Sequence, residues 1–271
     1  FGDEPLQIAK KFPSVTVAVD KDRVEGCAKL VSGAAGTVAT PAPGADIIVL
    51  DDAFQDKRLH ASLNIVLVDW SRPVFADSLL PFGRLRDLPG RIFEADMVIV
   101  SKCPMVLDDR DKHSFVRKLR LNGYDAAECA ATAPSGKRLA VLFSRMEYCP
   151  LEAVFPEADP RYTYAGSAVT ITGIANDAPM KAWLSDTYRI AASLSYPDHH
   201  RFTRGDLRKM AAAVRRFPTA AFVTTEKDAQ RLRDCRDLPS GMKERLFALP
   251  LRVKFTTSAE LSVLTSALDS L

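Results

Sequence analysis

The sequence predicts an α/β protein: a doubly wound, mainly parallel sheet with a smaller C-terminal α/β lobe. Three observations carry this expectation. Short apolar runs rich in β-branched residues recur without alternating polar positions, as in strands buried on both faces. Stretches with helical patterning fall between them. The pattern then restarts after Tyr124.

In chain order, Val15 to Val19 and Asp46 to Leu50 read as strands, with a helix over Arg23 to Ser32 between them. Asn64 to Val68 and Met97 to Val100 are the next two strands, the second ending in Ser101-Lys102. Asp108 to Asn122, rich in Lys, Arg and Leu, reads as a helix closed by Gly123. Past Tyr124, strands are expected at Ala140 to Phe143, Ala168 to Thr172 and Ala220 to Thr225. Ala178 to Tyr188 is a helix capped by Asn176 or Asp177, and Thr203 opens another over Arg204 to Phe217. The stretch from Glu152 to Tyr164, with prolines and little periodicity, links two expected portions, residues 1–150 and 151–271.

The 271 residues are 47% apolar and 26% charged, enough for a sizeable core and unlike a disordered chain. A formal net charge of +3, spread along the sequence, gives no footprint for nucleic acid. Five scattered cysteines (Cys27, Cys103, Cys129, Cys149 and Cys235) form no CxxC pair, so reduced thiols are expected. No run approaches the ~18 apolar residues that a membrane-spanning helix needs.

Chemistry-bearing residues gather in a few places. Asp46 to Leu50 runs into Asp51-Asp52, an apolar run ending in carboxylates. A strand tip of this kind can hold Mg²⁺ beside phosphates, although acidic residues also end ordinary strands. Tyr196-Pro197-Asp198-His199-His200 holds half of the four histidines just before a helix. An imidazole beside carboxylates can tune a general base; the plainer reading makes Asp198 or Thr203 a helix cap with the histidines at the surface. Asp3-Glu4 reads as a solvated turn, and Thr225-Glu226-Lys227-Asp228 ends a strand where binding residues gather in open α/β sheets.

Taken in order, Gly2-Asp3-Glu4-Pro5, Val17 to Arg23, Asp51-Asp52-Ala53-Phe54-Gln55, Asn64 to Asp69, Leu80-Pro81-Phe82-Gly83-Arg84-Leu85-Arg86-Asp87, Ala95-Asp96, Ser101 to Pro104, Gly173-Ile174-Ala175, Pro197-Asp198-His199 and Thr225 to Asp228 form a pattern. This pattern resembles the tetraacyldisaccharide 4′-kinases, the lipid A kinases, in a form like those of Bacteroidetes. The resemblance implies a P-loop NTPase-like fold and transfer of the ATP γ-phosphate to the 4′-hydroxyl of the lipid A disaccharide 1-phosphate. It implies Mg²⁺ and a peripheral or monotopic place on the cytoplasmic face of the bacterial inner membrane. By motif, Asp3 would be the catalytic carboxylate paired with His199, with Asp52 also at the chemistry and Asp51 as the metal ligand. Glu4, Arg23, Gln55, Arg86, Asp87 and Asp198 would position substrate or phosphate.

The departures are specific. No Gly-x-x-x-x-Gly-Lys-Ser/Thr occurs; Gly33-Ala34-Ala35-Gly36-Thr37 is an echo without lysine. In this family the loop precedes Gly-Asp-Glu-Pro, so the 271 residues are expected to be a kinase core without its first strand and P-loop, inactive alone. Ala53, Asp56 and Asp87 stand where Gly, His and Glu are commoner, which puts the roles of Asp56 and Asp87 in doubt. Two other readings remain open. One is a kinase-derived protein that binds without catalysing. The other is a metal-dependent phosphoesterase built on Asp198-His199-His200.

Overall fold

A computed structural model describes residues 3–34, 44–198 and 200–271, with the side chains of Asp3, Glu4 and Lys10 outside that description. The chain folds into two compact units, neither contiguous in sequence. One comprises Phe1–Val15 with Tyr148–Arg252, and the other Thr16–Glu147 with Val253–Leu271.

The first unit is a five-stranded sheet in the order β6 (Glu152–Ala153), β10 (Leu246–Leu249), β9 (Ala221–Thr225), β7 (Ser167–Thr172), β8 (Arg189–Ser195). All neighbours are parallel except the β6 edge. Its helices are α1 (Asp3–Lys11), α4 (Ala178–Ser185), α5 (Arg204–Arg216), α6 (Glu226–Arg233) and the short α7 (Ser240–Lys243). Successive strand residues point to opposite faces, and both faces are apolar here. Val169, Ile171, Phe222 and Leu246 pack with Met210 and Ala213 of α5 and Leu232 of α6. Ala168, Ala221, Val223 and Phe247 pack with Met180 and Leu184 of α4. Cover on both faces is why these strands read as unbroken apolar runs.

The second unit holds a six-stranded sheet: β1 (Ile65–Asp69), β2 (Met97–Ser101), β5 (Arg138–Tyr148), β4 (Ala130–Thr132) and β3 (Asn122–Asp125), with β11 (Leu251–Phe255) also paired to β5. β1, β2 and β5 are parallel, and β3 and β4 antiparallel. With α2 (Arg23–Val31), α3 (Asp109–Lys118) and α8 (Ser258–Asp269), the α/β class and the mainly parallel sheets stand as expected. One core face joins Val68, Val98, Phe115 and Phe143. There Trp70 stacks on Phe115 with ring centroids 4.5 Å apart.

Beneath α8 lies a buried ion pair. Lys112 Nζ sits 2.8 Å from Glu260, whose carboxylate also receives Thr256 Oγ1 and the Thr257 amide. Lys112 is 4% exposed and Glu260 0%. Removing one partner strands a buried charge, so Lys112→Met is expected to destabilise this unit by about 3 kcal/mol in chemical denaturation.

Two expected strands are absent. Val15 to Val19 and Asp46 to Leu50 join no ladder; Val49 is 90% exposed and Ile47 64%. A strand exists only with a hydrogen-bonded neighbour, and neither run has one among the described residues. Helix α3 stops at Lys118, four residues short of the expected Asn122, because Arg120 takes φ 58°, the left-handed turn that usually falls to glycine. Gly123, expected as the helix stop, instead lies in β3. Helix α4 stops at Ser185, and Arg189–Ser195 is a strand. None of the five cysteines is in a disulfide. No helix among the described residues is long and apolar enough to cross a membrane.

Candidate active site

In the second unit the candidate residues converge on the turn after Leu50. Asp52 adopts φ 49° and is gripped by the Arg86 guanidinium, with contacts of 2.7 and 2.9 Å to its two oxygens. The Arg23 guanidinium donates to the Asp52 carbonyl at 3.0 Å. The Arg86 hydrogen bonds hold the Asp52 carboxyl below the usual carboxylate range. Asp51 is exposed, and no hydrogen bond or ion pair engages its carboxylate among the described residues. Gln55 is exposed beside them.

Two arms brace this turn. Asp22 caps α2 by accepting the Val24 amide at 2.9 Å, and it pairs with Arg58 at 2.9 Å. The same arginine clasps Asp56 and, as the main cause, lowers its pKa to about 2. Asp56 is thus a structural anchor for Arg58 in this chain. On the other side, Arg91 pairs with Asp87 at 3.1 Å, donates to the Phe54 carbonyl at 3.2 Å and lies over the Phe54 ring. Asp87 therefore ties the segment carrying Arg86 to the turn carrying Asp52. That segment is tight: a Cβ on Gly83 would fall 2.1 Å from the Ser78 carbonyl.

The carboxyl ends of β1 and β2 form a cluster that the sequence reading did not single out. Asp69 accepts Lys102 Nζ at 2.7 Å and Ser71 Oγ at 2.6 Å. Burial pushes its pKa up, but Lys102 and Ser71 outweigh that and bring it to about 2. The available signal was a charged residue at the end of each strand's run, Asp69 closing β1 and Lys102 following β2, at the edge where ligands gather.

In the first unit the same edge collects Gly173 after β7, Tyr196 to Asp198 and His200 after β8, and Thr225 to Asp228 at the end of β9 and the start of α6. His199 lies outside the described residues, as do the side chains of Asp3 and Glu4; Asp3 is the first residue of α1. Asp198 contacts Lys227 Nζ at 3.2 Å. His200 stacks on Tyr196, and its Nε2 lies 2.9 Å from Asp206. Asp206 closes a capping box with Thr203 at the start of α5. His200 is thus part of the helix cap.

Burial pushes the Asp206 pKa up, but the Thr203 amide and hydroxyl and His200 outweigh it and bring it to about 2. A carboxyl that titrates lower in the native state adds stability above its unfolded pKa and loses it as the pH falls through the native one. This contribution should vanish between the ordinary 3.8 and about 2. Asp206→Asn should cost about 1 kcal/mol near neutrality and flatten the acid limb of urea-measured stability in that window.

Each unit is a mainly parallel α/β sheet with polar side chains at the carboxyl ends of its strands, where open sheets of this class collect ligands. A family model described as LpxK, tetraacyldisaccharide-1-P 4′-kinase, matches residues 1–269. The chain belongs to the tetraacyldisaccharide 4′-kinase family. It is 37% identical over 266 residues to the tetraacyldisaccharide 4′-kinase of Parabacteroides distasonis, covering 96% of this chain and 67% of that protein. It is 34% identical to that of Bacteroides thetaiotaomicron, covering 93% of this chain and 64% of the relative. The chain thus spans about two thirds of the length of these curated relatives. Its fold matches the crystal structure of LpxK from Aquifex aeolicus, described as an "apo" form in complex with ATP. The TM-score is 0.60 at 22% identity, over 98% of this chain and 68% of that one.

Proposed function

We propose that these residues supply the acceptor-activating and phosphate-positioning groups of an ATP-dependent kinase. Its acceptor is the 4′-hydroxyl of a tetraacyldisaccharide 1-phosphate, the lipid A precursor, at the cytoplasmic face of the bacterial inner membrane. The observation that carries the reading is the Asp51-Asp52 turn. Arg86 engages both oxygens of Asp52, and the neighbouring Asp51 carboxylate has no partner among the described residues, inside a family match over residues 1–269.

In this reading the acceptor oxygen forms a bond to the γ-phosphorus of ATP as the bond to the β,γ-bridging oxygen breaks. The hydroxyl proton passes to Asp3, with His199 as its partner. ADP carries away the leaving charge. Arg23, Gln55 and Arg86 are assigned to phosphate positioning, with Asp87 tying the Arg86 segment to the Phe54 turn through Arg91; Glu4 and Asp198 are assigned to the acceptor. Mg²⁺ is commonly held by one or two carboxylates together with substrate phosphates. Asp51 fits that role, whereas no group of three or more His, Cys, Asp or Glu suited to a protein-only site occurs among the described residues. When bound, the ion would neutralise charge on the transferring phosphate.

The test uses γ-labelled ATP and the lipid disaccharide in detergent micelles, with a Walker A segment supplied ahead of Gly2. Label should enter the acceptor and be lost when its 4′-hydroxyl is blocked. Equal labelling of the blocked acceptor would sink the assignment.

A further inference from the structure

The segment between β1 and β2 turns an apolar tip outward. Phe82 is 94% exposed, Leu80 61% and Leu88 62%. Exposed apolar residues are ordinary on a protein surface when scattered singly, but a group of them at one apex marks an interaction site. None of these side chains has a part in the chemistry described above.

The backbone holds the tip in this shape. The Leu80 amide donates to the Leu85 carbonyl and the Leu85 amide to the Ser78 carbonyl, each at 3.0 Å. The amides of Phe82 and Gly83 both donate to the Leu79 carbonyl, also at 3.0 Å. Asp77 accepts the Ser78 amide at 2.7 Å and the Arg84 amide at 3.3 Å. At its base the segment is tied to the Asp52 turn by Arg86 and, through Asp87 and Arg91, to the Phe54 carbonyl. A closed loop with satisfied amides therefore presents Phe82 to solvent, and folding the apex inward would break those bonds.

The charge beside the tip narrows the partner. Arg84 is exposed, and no ion pair engages its guanidinium among the described residues. An anionic bilayer suits both features. Apolar side chains enter the boundary between headgroups and acyl chains by about 5–10 Å, while a long basic side chain reaches back to the phosphates. A second copy of the chain fits less well. A stable dimer buries about 800 Å² on each partner, whereas an aromatic side chain supplies about 150–250 Å².

We infer that the tip formed by Leu80, Pro81 and Phe82 is a bilayer anchor, entering an anionic lipid surface with Arg84 at the level of the phosphates. The inference deepens the membrane-facing reading above and rests on it in choosing a bilayer. Arg86 lies on the same segment, so anchoring the tip brings the Asp52 turn to the surface where a lipid acceptor is found.

The test uses the intact 271-residue chain and sedimenting vesicles, of phosphatidylcholine alone or mixed with phosphatidylglycerol. The chain should sediment with the mixed vesicles. Phe82→Ser should weaken that binding about tenfold, from the apolar area withdrawn from water. Arg84→Gln should weaken it about fivefold on the mixed vesicles and leave binding to phosphatidylcholine unchanged. Both side chains are exposed, so both variants are expected to fold. Phe82→Trp gives a second readout, taken as the difference from the wild type with its two tryptophans. The added indole's emission should move to the blue and be quenched by lipids brominated on their acyl chains. A wild-type chain that stays in solution, Phe82→Ser sedimenting like wild type, or an unquenched indole would overturn the anchor. Self-association that needs Phe82 and no vesicle would overturn it too, in favour of a second copy. Vesicles without the disaccharide hold no acceptor, so the two readings fail separately. Lost label transfer in micelles with vesicle binding intact removes the kinase reading, and lost vesicle binding with transfer intact removes the anchor.

Discussion

The 271 residues as they stand are expected to bind ATP about a thousandfold more weakly than a kinase with an intact Walker A loop. Such a loop presents successive backbone amides and a lysine to the β- and γ-phosphates. Charge-assisted hydrogen bonds of this kind contribute about 1.5–3 kcal/mol each. Two of them are worth roughly 4 kcal/mol, and each 1.4 kcal/mol is tenfold in affinity. Arg23 and Arg86 bring charge to the turn but no row of amides, while Arg58 is held by Asp22 and Asp56 and Lys102 by Asp69. Calorimetric titration with ATP checks this directly. Placing a segment with Gly-x-x-x-x-Gly-Lys-Ser/Thr ahead of Gly2 should restore micromolar binding. Micromolar affinity in the unextended chain would show that another element cradles the phosphates.

The strands that read most plainly are those covered on both faces, β2, β7 and β9, because burial leaves a continuous apolar run. Thr203 at the start of α5 was legible for a similarly local reason, since a cap and its helix are adjacent in sequence. The same signal stood at Thr257, whose box with Glu260 opens α8, and went unread. Val15 to Val19 and Asp46 to Leu50 misled because apolar content shows that a strand is possible, while pairing depends on a neighbour. In the site, motif order was enough to recognise the family. Partner choice was not: Lys11 meets Glu226 across 215 positions, and no spacing rule connects them. Arg86 and Asp52, 34 residues apart, were both flagged, yet only the folded turn shows that one engages the other.

Asp3→Asn is expected to lower kcat by about 10²–10⁴, the usual contribution of a positioned general base. The amide keeps the size of the carboxylate and loses only its capacity to take the acceptor proton. KM for ATP and for the lipid should therefore change little. His199→Ala should cost less, because in this reading the imidazole acts through the carboxylate. The double variant should then be no slower than Asp3→Asn alone, the non-additivity expected of residues that act as one unit. Steady-state kinetics in the Walker A-bearing form, with both substrates varied, separates these cases. If Asp3→Asn keeps more than roughly a tenth of wild-type kcat, it is not the base. If the two single effects instead multiply in the double variant, Asp3 and His199 act independently, and the helix and the turn that carry them have separate tasks.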